Sequence, residues 1–186
     1  MKLAYILPGG TESTRQAKYR RIGRAFESRG FTVRYVEIRW LRKNPTDWIN
    51  QFISMYKPGD YTVLFGFSWG AWTAFVASTM VKADKLVLCS LSPYFKEDRI
   101  KRSWIRTIGK MRYADFKRYS FKVLNSRCKT SAVLLIGGEE HKNVLKRVRE
   151  AHRMMRGSKL LVVPESKHEI ADKNYMKAIV SVIDRL

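Results

Sequence analysis

Ser68 stands between two glycines in Gly66-Phe67-Ser68-Trp69-Gly70, directly after an apolar run. G-x-S-x-G is the spacing that seats a serine on a sharp turn from strand to helix. A serine hydroxyl is a weak nucleophile until a neighbouring base takes its proton. His168, in Val163-Pro164-Glu165-Ser166-Lys167-His168, is of the right type to be that base. Glu139 and Glu140, in Ile136-Gly137-Gly138-Glu139-Glu140, offer a carboxylate to orient the imidazole. Hydroxyl, imidazole and carboxylate together perform nucleophilic acyl transfer. The pentapeptide alone is a weak signal, because serine at a glycine-rich turn also serves as a helix N-cap. Where the three groups fall in the fold must decide.

The predicted elements put all three at one end of a sheet. Lys2–Leu7 reads as a strand closed by Pro8-Gly9-Gly10. Ser13-Thr14-Arg15-Gln16 offers a capping box for a basic helix running to Arg29, where Gly30 stops it. Residues 31–38 (FTVRYVEI) alternate and are β-branched, a strand. Asn44-Pro45-Thr46-Asp47 opens a second helix that ends at Lys57-Pro58-Gly59. Tyr61–Phe67 reads as a strand, Trp69–Val81 as an alanine-rich helix and Lys85–Leu91 as a buried strand. Pro93–Lys129 breaks the alternation and reads as amphipathic helix, with Ile100, Trp104, Ile108 and Met111 at helical spacing. Strand Ser131–Ile136, helix Asn143–Arg156, strand Lys159–Val163 and helix Ile170–Leu186 complete the chain.

Strands that are continuous apolar runs, alternating with helices, belong to a parallel sheet covered on both faces. The expected architecture is a three-layer α/β/α sandwich on a mostly parallel six-stranded sheet. It makes one domain over residues 1–186, with 93–129 inserted as a helical cap. In such a sheet reactive groups gather at the carboxyl ends of the strands. Ser68 follows the third strand, Glu139 and Glu140 the fifth, and His168 the sixth.

The order serine, acid, histidine in separate strand-end loops, together with GFSWGA, resembles a compact member of the α/β-hydrolase superfamily lacking the first two strands of larger members. The resemblance covers nearly the whole chain. It implies Ser68 as nucleophile, His168 as base and Glu140 as acid, since the family's acid lies third after the glycine that ends the strand. Glu139 stays open as the alternative acid. The chain departs from the family in using glutamate where aspartate is commoner, and in placing Glu169 directly after the histidine. The family's oxyanion hole maps onto the amides of Trp69 and of the Pro8-Gly9-Gly10 loop, where Gly10 is the choice because proline has no N–H. No cofactor is implied.

Composition narrows the rest. The 186 residues are 45% hydrophobic and 12% aromatic, which fits a folded protein. No apolar stretch is long enough for a membrane span, and the short N-terminal run reads as a strand, so a cytoplasmic location is expected. Cys89 and Cys128 are too few for a disulfide framework. The histidines and cysteines have no metal-ligand spacing, and no dinucleotide or P-loop pattern follows Gly9-Gly10. His152 reads as a boundary or core histidine beside Val148 and Met155, and His141 as solvated. Trp72 reads as core and Trp69 as pocket wall.

Charge is the unusual quantity: 37 Lys and Arg against 16 Asp and Glu, a net +21. Such a surplus attracts anions. The cap is its most basic part, with twelve Lys and Arg against three acids between 93 and 129. Trp104, Ile105, Ile108 and Phe116 are expected to face inward as an acyl pocket, with the cations outward and favouring anionic substrates. Two function classes follow. One is a serine hydrolase acting on a small-molecule ester, thioester or amide. The other is an idle scaffold whose basic surface binds nucleic acid or anionic lipid.

Overall fold

The computed structural model describes residues 1–186. Six strands form one sheet: β1 (Lys2–Leu7), β2 (Phe31–Tyr35), β3 (Tyr61–Phe67), β4 (Lys85–Cys89), β5 (Ser131–Gly137) and β6 (Lys159–Val163). Their order is β2-β1-β3-β4-β5-β6, with every pair parallel. Successive side chains of a strand point to opposite faces, and both faces here are covered. Leu3, Tyr5, Leu64, Leu86, Leu88, Leu134 and Ile136 enter one apolar cluster. That cluster also takes in α2 (Pro45–Met55), α3 (Trp69–Ala77) and α7 (Lys142–Met154). Ala4, Ile6, Val63, Phe65, Val87 and Leu135 enter the other, against α1 (Ala17–Glu27) and α8 (Lys173–Ile183). Burial on both faces is why β1, β3, β4 and β5 are almost wholly apolar, while the edge strands β2 and β6 stay partly exposed. No helix is long and apolar enough to cross a membrane.

Two local expectations are corrected. Helix α1 starts at Ala17 with Gln16 as N-cap and no side-chain cap. Ser13 and Thr14 instead direct their hydroxyls to Glu37, just past β2, so the acceptor offered by tertiary structure outcompetes a capping box. Asn44, by contrast, does open α2, its N–H donating to Asp47 Oδ2 at 2.9 Å.

The segment between β4 and β5 is not one amphipathic helix. It forms α4 (Arg102–Ile108), α5 (Lys110–Phe116) and α6 (Phe121–Arg127). Gly109, at φ 90°, takes a left-handed conformation that an α-helix cannot continue through, and it turns α5 away from α4. Met111 consequently faces solvent, 77% exposed. The cations are not all outward either. Lys117, whose ammonium burial pushes down in pKa, donates to the Phe95 carbonyl at 2.7 Å, and Arg112 Nε donates to the Lys43 carbonyl at 3.0 Å. Phe95, Phe116 and Phe121 are fully buried in the same cluster as Trp72 and Phe75. These helices share the core of α2 and α3.

Candidate active site

The site begins where the sheet changes direction. β1 connects to β2 on one side, while β3 lies on its other side, and the crevice at such a switch point opens at the strands' carboxyl ends. Register fixes what meets there. Leu7 pairs with Gly66, so Pro8–Gly10 runs beside Phe67–Trp69. Phe67 pairs with Cys89, Cys89 with Leu135, and Gly137 with Val163. Four strand ends therefore present Ser68, Ser90, the Gly138–Glu140 loop and the Pro164–Glu169 loop along one rim.

Ser68 has φ 55° and ψ −115°, a region side chains rarely adopt, at a cost of about 1–3 kcal/mol. The surrounding glycines make it possible. A Cβ on Gly66 would collide with the Gly70 carbonyl, and one on Gly70 with the carbonyl oxygens of Leu7 and Pro8. The turn thus drives Ser68 Oγ outward at the start of α3.

His168 Nε2 lies 3.0 Å from Ser68 Oγ, and His168 Nδ1 lies 2.6 Å from Glu140 Oε2. A carboxylate can only accept, so Nδ1 carries the proton and Nε2 turns its lone pair toward the serine. The imidazole packs on Phe67, ring centres 4.9 Å apart. Its side chain is 42% exposed, whereas that of Glu140 is 0% exposed. Glu139 is exposed, and its part in the site is limited to a backbone N–H donated to the Ser166 carbonyl at 3.0 Å. Glu169 turns away, accepting from the Ala171 N–H at 2.9 Å and lying 3.6 Å from Lys18.

A buried carboxylate needs partners for both oxygens. Glu140 Oε1 accepts from the Gly137 N–H at 3.1 Å and from the Ser90 hydroxyl. Ser90, at φ 53°, in turn accepts from the Tyr175 hydroxyl at 2.7 Å. Burial pushes the pKa of Cys89 and of Tyr175 well up, and the negative charge of Glu140 adds to both. The neighbours stay neutral, so Glu140 is the one anion in this pocket of the core.

The loop after β1 is braced as well. Gly9 N–H donates to the Tyr19 hydroxyl at 2.7 Å, and Tyr19 donates to Glu12. That leaves Gly10 N–H without a protein acceptor, as is the N–H of Trp69 at the first position of α3. The Trp69 ring lies over Gly10 and stacks on Trp48, ring centres 4.8 Å apart.

Among solved structures, Est1E from Butyrivibrio proteoclasticus superposes with a TM-score of 0.73 at 11% identity, over 99% of this chain and 86% of that one. Alpha/beta hydrolase domain-containing protein 10 from mouse gives 0.72 at 13% identity, over 98% and 88%. A lipase-esterase related protein from Clostridium acetobutylicum gives 0.71 at 10% identity, over 100% and 94%. The chain has the α/β-hydrolase fold. No family model and no curated protein matches the sequence.

In this α/β-hydrolase fold a cavity of about 350 Å³ opens beside Ser68 and His168. Trp104 and Ile108 line it, joined by Ser92, Tyr94, Val144 and His141. Phe116 does not: it stands behind the wall, its ring centre 4.8 Å from that of Tyr94. Trp69 is absent from the lining too, being committed to Trp48 and Gly10. His141, expected to be merely solvated, packs its ring 4.4 Å from Trp104 at the cavity edge. Its Nδ1 accepts the Asn143 N–H at 3.2 Å, leaving the other nitrogen as the neutral ring's donor. His152 is a boundary residue bonded through Nδ1 to Ser158 at 2.9 Å. No group of His, Cys, Asp and Glu is clustered as a metal site would need.

Ser90, Ser92, His141 and Tyr175 were not legible as site residues. Only Ser90 carried a signal, a lone hydroxyl at the end of an apolar strand whose neighbours end in the site.

Proposed function

We propose that the chain is a serine hydrolase that cleaves a carboxylic ester or thioester through an acyl-enzyme on Ser68, with amides as a third substrate type. The single observation that carries this reading is the bonded series Ser68 Oγ, His168 Nε2, His168 Nδ1, Glu140 Oε2, at 3.0 and 2.6 Å. In it, His168 takes the serine proton as Oγ attacks the carbonyl carbon, then gives it to the leaving group. Water repeats the cycle on the acyl-enzyme. Glu140 keeps the imidazole in the productive tautomer and stabilises the imidazolium. The free amides of Gly10 and Trp69 receive the oxyanion, each such donor being worth about 3–4 kcal/mol. Residues 93–129 serve as a cap on a single domain, with Trp104 and Ile108 as acyl-pocket walls. The names of the similar structures, which include Est1E with ferulic acid bound and a lipase-esterase related protein, point the same way.

A series of p-nitrophenyl esters of rising chain length tests this. Wild type is expected to turn over the short members, and Ser68→Ala to lose on the order of 10⁶-fold in kcat. Retention of the wild-type rate by Ser68→Ala would remove the serine from the reaction.

A further inference from the structure

A second, larger cavity of about 550 Å³ lies beside the first, between the 93–99 segment, the start of α6 and α7. The two meet at Pro93, which lines both, and the first turn of α7 gives Asn143 to one and Val144 to the other. The larger cavity is lined mainly by charge. Its three acids are already engaged. Asp98 pairs with buried Arg147, Nε to Oδ1 2.9 Å. Glu97 accepts the Phe121 N–H at 3.0 Å, the Lys122 N–H and the Ser120 hydroxyl. Glu150 lies 3.3 Å from Arg147 and 3.8 Å from Lys146. Arg99, Lys122 and Arg153 also line the cavity, and their side chains form no ion pair or hydrogen bond within the chain.

We propose that this cavity is an anion subsite, in which Arg99, Lys122 and Arg153 hold the phosphate of a phosphorylated leaving group while the acyl part of the same substrate occupies the apolar cavity at Ser68. The lining carries five cations against three acids, and the three cations without a partner in the chain meet a phosphate's oxygens both as positive charges and as hydrogen-bond donors. The apolar lining of Tyr94, Trp104, Ile108 and Val144 suits the acyl chain, so the alcohol or thiol portion is the part directed past Pro93. Assignment of the reacting bond rests on the serine-hydrolase reading; assignment of the anion to this cavity does not.

Two matched substrate pairs test it: butyryl-coenzyme A against S-butyryl-N-acetylcysteamine, and 1-butyrylglycerol 3-phosphate against 1-butyrylglycerol. The phosphorylated member of at least one pair is expected to have the higher kcat/KM by about tenfold or more, chiefly through KM. The pair that responds tells a soluble thioester from a lipid-like ester. The triple variant Arg99→Ala/Lys122→Ala/Arg153→Ala, checked for an unchanged Tm, should reduce that preference to about twofold or less. A control triple variant on the opposite face of the sheet, Arg21→Ala/Arg24→Ala/Lys177→Ala, removes the same charge and should keep the preference. No preference in either pair, or equal loss in both variants, overturns the subsite. Turnover of p-nitrophenyl butyrate by wild type reports the serine reading separately. If no ester is cleaved, calorimetry with pyrophosphate decides: binding by wild type and the control but not by the cavity variant supports the subsite, and any other pattern overturns it.

Discussion

Glu140→Gln is expected to lower kcat on p-nitrophenyl butyrate by about 10⁴-fold, while Glu139→Gln stays within about twofold of wild type. The size follows from how Glu140 is held. Its Oε1 is met by two donors, the Gly137 N–H at 3.1 Å and the Ser90 hydroxyl. A glutamine there must turn its carbonyl oxygen to those donors, because the reverse orientation would set N–H against N–H. Its amino group then faces His168 Nδ1, which must become the acceptor. The proton moves to Nε2, and the nitrogen beside Ser68 can no longer take a proton. The shape is almost unchanged and the tautomer is wrong. Glu139 has no such path to the imidazole, since its side chain is exposed. Comparable losses in the two variants, or a larger one in Glu139→Gln, would reassign the acid.

The second large effect is expected from one added methyl group. Gly70→Ala places a Cβ on the carbonyl oxygens of Leu7 and Pro8, and neither can swing aside because both belong to β1 and its exit. Helix α3 and the β1 exit must separate. Overpacking of this kind costs about 1–3 kcal/mol, which in a chain of this size lowers Tm by roughly 2–12 °C. Activity should fall further than stability. Trp69 precedes Gly70 and Gly10 follows Pro8, so the displacement spreads apart the two amides assigned to the oxyanion. A displacement near 1 Å costs on the order of 10²-fold in rate. Thermal melting and kcat measured on one preparation separate the two effects. A variant with wild-type Tm and kcat would show that the close approach of α3 to β1 is dispensable.

Much of this arrangement was readable before any coordinates, for a physical reason. Strands buried on both faces must be apolar, so Tyr61–Phe67 announces itself with the bounds the structure gives, and the apolar run Lys159–Val163 does so too although it is a partly exposed edge strand. Glycines required by close backbone approach are equally visible, which is why Gly66 and Gly70 flag the turn at Ser68. The choice between adjacent glutamates was harder, because both lie in one loop and burial separates them only when β5 and β6 are in register. Residues 93–129 were misread where tertiary contacts override helical periodicity. Met111 continues the spacing of Ile108, but Gly109 breaks the helix between them. Phe116 has the right side of α5 for a pocket wall, yet Tyr94 from the β4 exit comes between it and the cavity. Ser90, Tyr175 and His141 escaped because their roles depend on partners distant in sequence: Glu140 for the first, Ser90 for the second and Trp104 for the third.

The central claim is that Ser68 is an activated nucleophile, and a fluorophosphonate probe reads it most directly. Wild-type protein is expected to take up one equivalent at neutral pH, with the adduct on the peptide bearing Ser68. Labelling should be absent in Ser68→Ala and slow in His168→Ala. Folded wild type that stays unlabelled, or an adduct mapped to another residue, would contradict the account.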